Sequence, residues 1–252
     1  PRRRHRSGIM ARYAMVIDQE RCVGCQSCTV ACKSEWDVPN GAARTRVRPA
    51  AIRGTYPNFI STFHVSQCNH CEKPTCLPVC PTGATYQEPT GIVRVNKDLC
   101  IGCGSCVAAC PYSARYVNAE KGVADKCDFC ASRLERGLDP ACVNTCPGKA
   151  KMFGDLEDSN SPVFNAVYRG GARRIETPEI SIGPNVYYIG RAEHLDMAAT
   201  TFPPEQPRMI AAGRVWTGFV KKAVYLAVGA TFLGQAIAFF RQLSVGEEQF
   251  ED

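Results

Sequence analysis

Short apolar runs and one long one organise this chain. Ala14-Met-Val-Ile-Asp18 and Gly91-Ile-Val-Arg-Val95 are brief apolar stretches closed by polar turns, Asp18-Gln-Glu-Arg21 and Asn96-Lys-Asp-Leu99, and both predict strands. Phe59-Ile-Ser-Thr-Phe-His-Val65 alternates apolar and polar positions and predicts another. The Ala/Val-rich segments 28–32 and 106–110 predict short helices. From 223 to 240, eighteen residues pass without a formal charge, bounded by Lys221-Lys222 and Arg241. A helix of that length spans about 27 Å, close to the hydrocarbon thickness of a bilayer. Trp216 and Tyr225 stand at one end of it, where interfacial aromatics belong. Length and flanking cations thus predict a transmembrane helix over 214–242 rather than a core helix, followed by an acidic tail over 243–252 (Glu247, Glu248, Glu251, Asp252). Ala223, Ala227, Ala230, Gly234 and Ala238 recur at i+3 or i+4, a face suited to close packing against another membrane helix.

The remaining segments carry little apolar periodicity. Residues 1–12 form a basic arm (Arg2, Arg3, Arg4, His5, Arg6), read as lying on a partner or on lipid headgroups. Ser7 to Tyr13 is not the apolar stretch that a secretory or twin-arginine signal requires. Arg44, Arg46, Arg48 and Arg53 read as a solvated loop or as a grip on an acidic partner surface. From Ser159 to Arg208 the chain holds Pro162, Pro178, Pro184, Pro203, Pro204 and Pro207 and shows no helical period, so 159–213 is expected to be an extended wrapping segment.

Chemistry enters with sixteen cysteines in groups of four. Cys22, Cys25, Cys28 and Cys32 read C-x2-C-x2-C-x3-C, and Cys100, Cys103, Cys106 and Cys110 repeat that spacing 78 residues later. Cys68, Cys71, Cys76 and Cys80 form the second motif, and Cys127, Cys130, Cys142 and Cys146 the fourth, each with a wider gap before its third cysteine. Pro81, Pro111 and Pro147 follow three of the closing cysteines, the signature of bacterial two-cluster ferredoxins. Disulfide scaffolds occupy short secreted chains and do not repeat this spacing. Zinc ribbons pair C-x2-C units and would leave two cysteines of each motif idle. Sixteen ligands therefore imply four [4Fe–4S] clusters. The fold class follows: α+β, with two ferredoxin-like βαβ modules over 13–158, an extended arm and one C-terminal transmembrane helix.

A formal net charge of +6 suggests nucleic acid at first sight. An oxidised cube held by four thiolates carries about −2, so four would add about −8 and reverse the sign. The basic excess neutralises clusters, and no nucleic-acid partner is expected. Neither an acid–base pair nor a phosphate loop is evident; Gly102-Cys-Gly104 belongs to a cluster loop, since no G-x-G-x-x-G helix start follows. His70, Lys126 and Arg133 stand beside ligands and read either as tuning groups, His70 also as a quinone neighbour, or as polar filler.

The words Cys22-Val-Gly-Cys25-Gln-Ser-Cys28, Cys68-Asn-His-Cys71-Glu-Lys-Pro-Thr-Cys76, Cys100-Ile-Gly-Cys103-Gly-Ser-Cys106 and Lys126-Cys-Asp-Phe-Cys130 resemble one subunit family. It is the four-cluster electron-transfer subunit of membrane molybdopterin oxidoreductases, of the dimethyl sulfoxide, polysulfide and tetrathionate reductase and formate dehydrogenase type. Trp216-Thr-Gly-Phe-Val-Lys-Lys222 resembles the anchored formate dehydrogenase form, and the iron–sulfur subunit of a membrane nickel–iron hydrogenase is the alternative. The resemblance implies that motifs one and four exchange their closing ligands, as do two and three. One cluster would take Cys22, Cys25, Cys28 and Cys146; a second Cys32, Cys127, Cys130 and Cys142; a third Cys68, Cys71, Cys76 and Cys110; the last Cys80, Cys100, Cys103 and Cys106. It also implies a non-catalytic relay between a molybdopterin catalytic subunit and an integral-membrane, quinone-reactive subunit. Arg208, Arg214, Lys221 and Lys222 before the helix favour a cytoplasmic cluster body. The anchored relatives imply the periplasmic face of the cell membrane, which is the expectation adopted.

Overall fold

The computed structural model describes residues 10–50, 52–176, 181–191 and 221–246. Residues 1–9 of the basic arm, 177–180 and 192–213 of the wrapping segment, 214–220 of the anchor with Trp216, and the acidic tail from Glu247 lie outside them. The chain divides into two units, Pro1–Pro204 and Glu205–Asp252.

The first unit is built around strand β1 (Tyr13–Asp18), whose four central residues Ala14 to Ile17 are wholly buried. Period-two alternation sends them to opposite faces. Met15 and Ile17 join the core that contains Cys28, Cys68, Cys71, Cys127 and Cys142. Ala14 and Val16 pack with Leu156, Val163 and Ala166 on the other side. β1 pairs antiparallel with β10 (Lys151–Asp155) and parallel with β12 (Val186–Ile189), and β12 pairs with β11 (Arg173–Arg174).

The other strands form antiparallel ribbons between successive motifs. Motif one runs into α1 (Ser27–Trp36), and the ribbon of β2 (Thr45–Pro49) with β5 (Phe63–Gln67) leads to motif two. β6 (Thr85–Gln87) with β7 (Val93–Val95) leads to motif three and α2 (Ser105–Ala108). β8 (Arg115–Asn118) with β9 (Val123–Lys126) leads to motif four, whose cysteines flank α3 (Ala131–Glu135) and lie on and after α4 (Ala141–Asn144). The β1–β10 pairing then joins the strand before motif one to the strand after motif four. The motifs thus sit at the corners of a closed circuit of ribbons.

Several sequence expectations change here. The strand read over 59–65 is divided: β4 (Asn58–Ile60) pairs with β3 (Arg53–Thr55), whereas β5 pairs with β2. Pairing changes partner at Ser61–Thr62, where the Thr62 carbonyl accepts the Ala50 N–H at 2.8 Å. The segment expected to be extended contains helix α5 (Pro162–Tyr168) and the core strand β12. Ser161 accepts the Val163 N–H at 3.3 Å and Pro162 opens the first turn, a start signal readable in Ser161-Pro162. Tertiary burial of Val163 and Ala166 then sustains so short a helix.

In the second unit, α6 (Lys221–Gly246) is apolar all round. Residues 222–244 have mean hydropathy 1.8, and none of that span is buried. Leu226, Phe232, Leu233, Ile237 and Phe240 are each more than three-fifths exposed. Thr231 returns its hydroxyl to the Ala227 carbonyl at 2.8 Å, so its polar group needs no water. Among the described residues it is the one helix long and apolar enough to cross a bilayer.

Candidate metal centres

Each motif is shaped by backbone that few residues adopt. Gly24 and Gly102 occupy matching positions with φ of +69° and +67°. A Cβ would meet the Phe63 ring at 2.4 Å in the first and the Gly122 carbonyl oxygen at 2.1 Å in the second. Gln26 and Gly104, also left-handed, then turn the chain into α1 and α2. The closing cysteines of the other three motifs share one exit. The N–H groups of Gly83, Ser113 and Lys149, all left-handed, return to the carbonyls of Cys80, Cys110 and Cys146 at 3.2 Å. Buried Ala84, Ala114 and Ala150 follow, and Thr85, Arg115 and Lys151 open β6, β8 and β10.

All sixteen cysteines are free thiols. Cys22, Cys25, Cys28 and Cys146 line one cavity together with Lys151. Cys32 lies in the field of Cys142 and Cys130, and Cys127 in that of Cys32, Cys142 and Cys130. Cys71 faces Cys68, Cys110 and Cys76. Cys103 faces Cys80, and Cys100 and Cys106 share a core patch with Val93 and Ala124. Cys25 and Cys103 are exposed. Among the described residues, no three His, Cys, Asp or Glu side chains converge on a point fit for a single ion. The cavity shared by Cys22, Cys25, Cys28 and Cys146 suits a cube, in which each thiolate reaches a different iron.

Charge supports the fit. Burial pushes the Cys32 thiol up to about 12 and Cys76 to about 11, and raises Cys28, Cys71, Cys127 and Cys130 as well. Such thiols become thiolates only when a metal replaces the proton. Arg115, Lys126 and Lys151 are each 3% exposed. Among the described residues none of the three pairs with a carboxylate; their charges face sulfur and carbonyl oxygen instead. Arg115 donates to Cys76 Sγ at 2.9 Å, Lys126 to the carbonyls of Val93 and Cys127, and Lys151 to Gln67 Oε1 at 2.7 Å. A buried cation without a counter-charge is strongly disfavoured. Anionic [4Fe–4S] groups held by these thiolates supply that charge, so the residues present fit the group. Backbone donors reach sulfur too: Ala124 N–H to Cys100 at 3.3 Å and Ala150 N–H to Cys146 at 3.2 Å.

The residues flagged in the sequence separate. His70 is wholly buried, accepts the Val93 N–H at Nδ1 (3.0 Å) and stacks on Phe129 with ring centroids 3.8 Å apart. It therefore joins motif two to motif four. Lys126 ties motif four to β7. Arg133 bonds Glu35 at 2.9 Å and the Asp139 carbonyl at 2.8 Å and so braces α3 against α1. The arginine run is corrected at its first member. Arg44 is 4% exposed, holds Asp125 at 2.7 Å and Asp128 at 3.4 Å, and lies 4.5 Å over the Trp36 ring. Arg46 caps the Ser113 carbonyl at 3.2 Å. Trp36, unremarked in the sequence, donates Nε1–H to Cys130 Sγ at 3.3 Å. Arg44→Met should destabilise the cluster-loaded protein by about 3–5 kcal/mol, because Asp125 is left buried beside Tyr116 without its cation. Anaerobic denaturant titration measures it, and a loss below about 1 kcal/mol would return Arg44 to the surface.

A body that gathers sixteen free thiols in four motifs, with cations and backbone donors beside their sulfurs, is that of an iron–sulfur protein. Residues 60–156 match the family model of a 4Fe-4S dicluster domain, and residues 13–34 that of a 4Fe-4S binding domain. A tetrathionate reductase subunit of Salmonella typhimurium is 44% identical over 189 residues, 74% of this chain and 76% of that one. The electron transfer subunit of thiosulfate reductase from Salmonella typhi is 50% identical over 151 residues, 59% and 78% of the two chains. A polysulfide reductase polypeptide of Wolinella succinogenes is 44% identical over 154 residues, 60% and 81%. The chain belongs to this family of iron–sulfur electron-transfer subunits of reductases, and it binds [4Fe–4S] clusters. These relatives are reductase subunits, so the hydrogenase alternative is not favoured.

Proposed function

We propose that the chain relays electrons through four [4Fe–4S] clusters, between a molybdopterin catalytic subunit and a quinone-reactive membrane subunit of a respiratory reductase. The observation that carries the count is the complete set of sixteen thiols, each in a four-residue motif. The cofactors, when bound, supply one-electron chemistry at potentials set by their surroundings. The chain's own residues hold them, exclude water through burial, aim Arg115, Trp36 and backbone N–H groups at the sulfurs, and set Lys151 in the wall of the first cavity. The ligand sets are those implied by the family resemblance: Cys22, Cys25, Cys28 with Cys146; Cys32 with Cys127, Cys130, Cys142; Cys68, Cys71, Cys76 with Cys110; and Cys80 with Cys100, Cys103, Cys106. The shared cavity of the first set and the mutual fields within the others support this grouping. The exposed Cys25 and Cys103 belong to different sets, which suits a relay with two accessible ends.

We also read the chain as a basic arm over 1–12, a two-module cluster domain over 13–158, a wrapping segment over 159–213, a membrane anchor over 214–242 and an acidic tail, with the cluster body on the periplasmic face. Protease protection of the body in intact spheroplasts would overturn that face. The relay itself is tested on anaerobically purified complex. Iron and sulfide should each reach about sixteen atoms per chain, reduction should give four interacting S = 1/2 centres, and a molybdopterin subunit should co-purify. Two or fewer centres would end the four-cluster reading.

A further inference from the structure

We infer that Lys151 and Arg115 are paired potential-setting cations, each inserted between two sulfur sets: Lys151 between those of motifs one and four, Arg115 between those of motifs two and three. The inference rests on the ligand grouping proposed above. Both residues stand five positions after a closing cysteine, Cys146 and Cys110, and both open a strand immediately after the same left-handed turn and buried alanine. Equivalent backbone therefore delivers a cation to equivalent places in the two halves.

The surroundings of each span two sets. Lys151 lines the cavity of Cys22, Cys25, Cys28 and Cys146. Lys151 also opens β10, which packs against α4, the helix that carries Cys142 of the other set. Its Nζ donates to Gln67, which orients it without neutralising it. Arg115 splits its guanidinium. One nitrogen bonds Cys76 Sγ at 2.9 Å and another Thr85 Oγ1 at 3.2 Å, while β8 packs against α2, the helix that carries Cys106. Cys76 belongs to one set and Cys106 to the other. Thr85, at the matching position after Cys80, is the neutral member of the series and serves as Arg115's hydrogen-bond partner.

A fixed positive charge in a water-poor interior favours the more negative, reduced form of an adjacent cluster. One cation shared by two neighbours raises both potentials. It also keeps both within reach of one electron's transfer, where an unshared charge would set them apart.

The test is a redox titration of the whole complex followed by EPR, on Lys151→Met and Arg115→Met. Lys151→Met should lower the reduction equilibrium of the two centres held by motifs one and four at least tenfold, about 59 mV for one electron, and leave the other two unmoved. Arg115→Met should do the converse. Lys151→Arg and Arg115→Lys keep the charge and should keep the wild-type potentials. If a methionine variant loses its own two clusters while the conservative variant retains them, the inference also stands, because those anions then require that charge. Clusters present with unmoved potentials, shifts spread evenly over all centres, or cluster loss in the conservative variants would each overturn it. A wild-type count other than four would instead sink the relay reading, which separates the two failures.

Discussion

Replacing Cys146 by serine is expected to abolish the centre held by motif one and to spare the centre held by the other three cysteines of its own motif. The reciprocal change, Cys32→Ser, should abolish the motif-four centre and spare that of motif one. Chain order alone would assign each closing cysteine to its own motif, so the two assignments predict opposite losses from the same substitution. The physical basis is direction. Cys22, Cys25 and Cys28 wrap one hollow, and α1 then carries Cys32 away from it toward Cys130 and Cys142. Cys146 arrives at the vacated corner because β10, which follows it, pairs with β1, which precedes Cys22. Serine is a poor ligand for iron yet nearly isosteric, so the fold is asked to tolerate little else. EPR of each anaerobically reduced variant, with iron analysis, reads the outcome. Loss of the motif-four signal in Cys146→Ser would refute the exchange.

The second large effect is expected on removal of the metal. Stripping iron with a chelator under oxidation should unfold the cluster body outright rather than leave a folded apoprotein. Three cations, Arg115, Lys126 and Lys151, lie buried without carboxylate partners among the described residues, and each would become an uncompensated charge costing several kcal/mol. The main core itself contains Cys28, Cys68, Cys71, Cys127 and Cys142, so loss of the metal disturbs the core directly. A whole domain of this size holds only about 5–15 kcal/mol of stability, less than the combined loss. Visible absorption and far-UV circular dichroism should therefore fall together, and protease should cut the body as the colour fades. A stripped protein that keeps its dichroism and its resistance would show that metal binding and folding are separable here, against the coupling expected of small metal domains.

The cluster chemistry was legible in the sequence because cluster binding is a local act. C-x2-C-x2-C-x3-C places three thiolates around one cube within a few residues, and the glycines that let the loop close are adjacent letters. The short strands before motifs one and three and the apolar run of α6 are likewise local, since their signal is period and length. The helix after Ser161-Pro162 has its start signal too, masked by the prolines around it. β12 carries no comparable mark, because an ordinary Val-Tyr-Tyr-Ile stretch becomes a central strand only by pairing with β1.

What tertiary structure alone decided is where the charges go. Arg44 and Arg48 belong to the same arginine run, yet Arg44 is buried on Asp125 while Arg48 stays half-buried. Only folding sets Arg115, at the start of β8, on Cys76 Sγ and Lys151, at the start of β10, in the cavity of Cys22, Cys25, Cys28 and Cys146. His70 and Phe129 meet although 59 residues separate them, because the ribbons bring motif two against motif four. Electrostatic neighbours are set by distance through space, and no spacing along the chain encodes a distance between segments that touch only after folding.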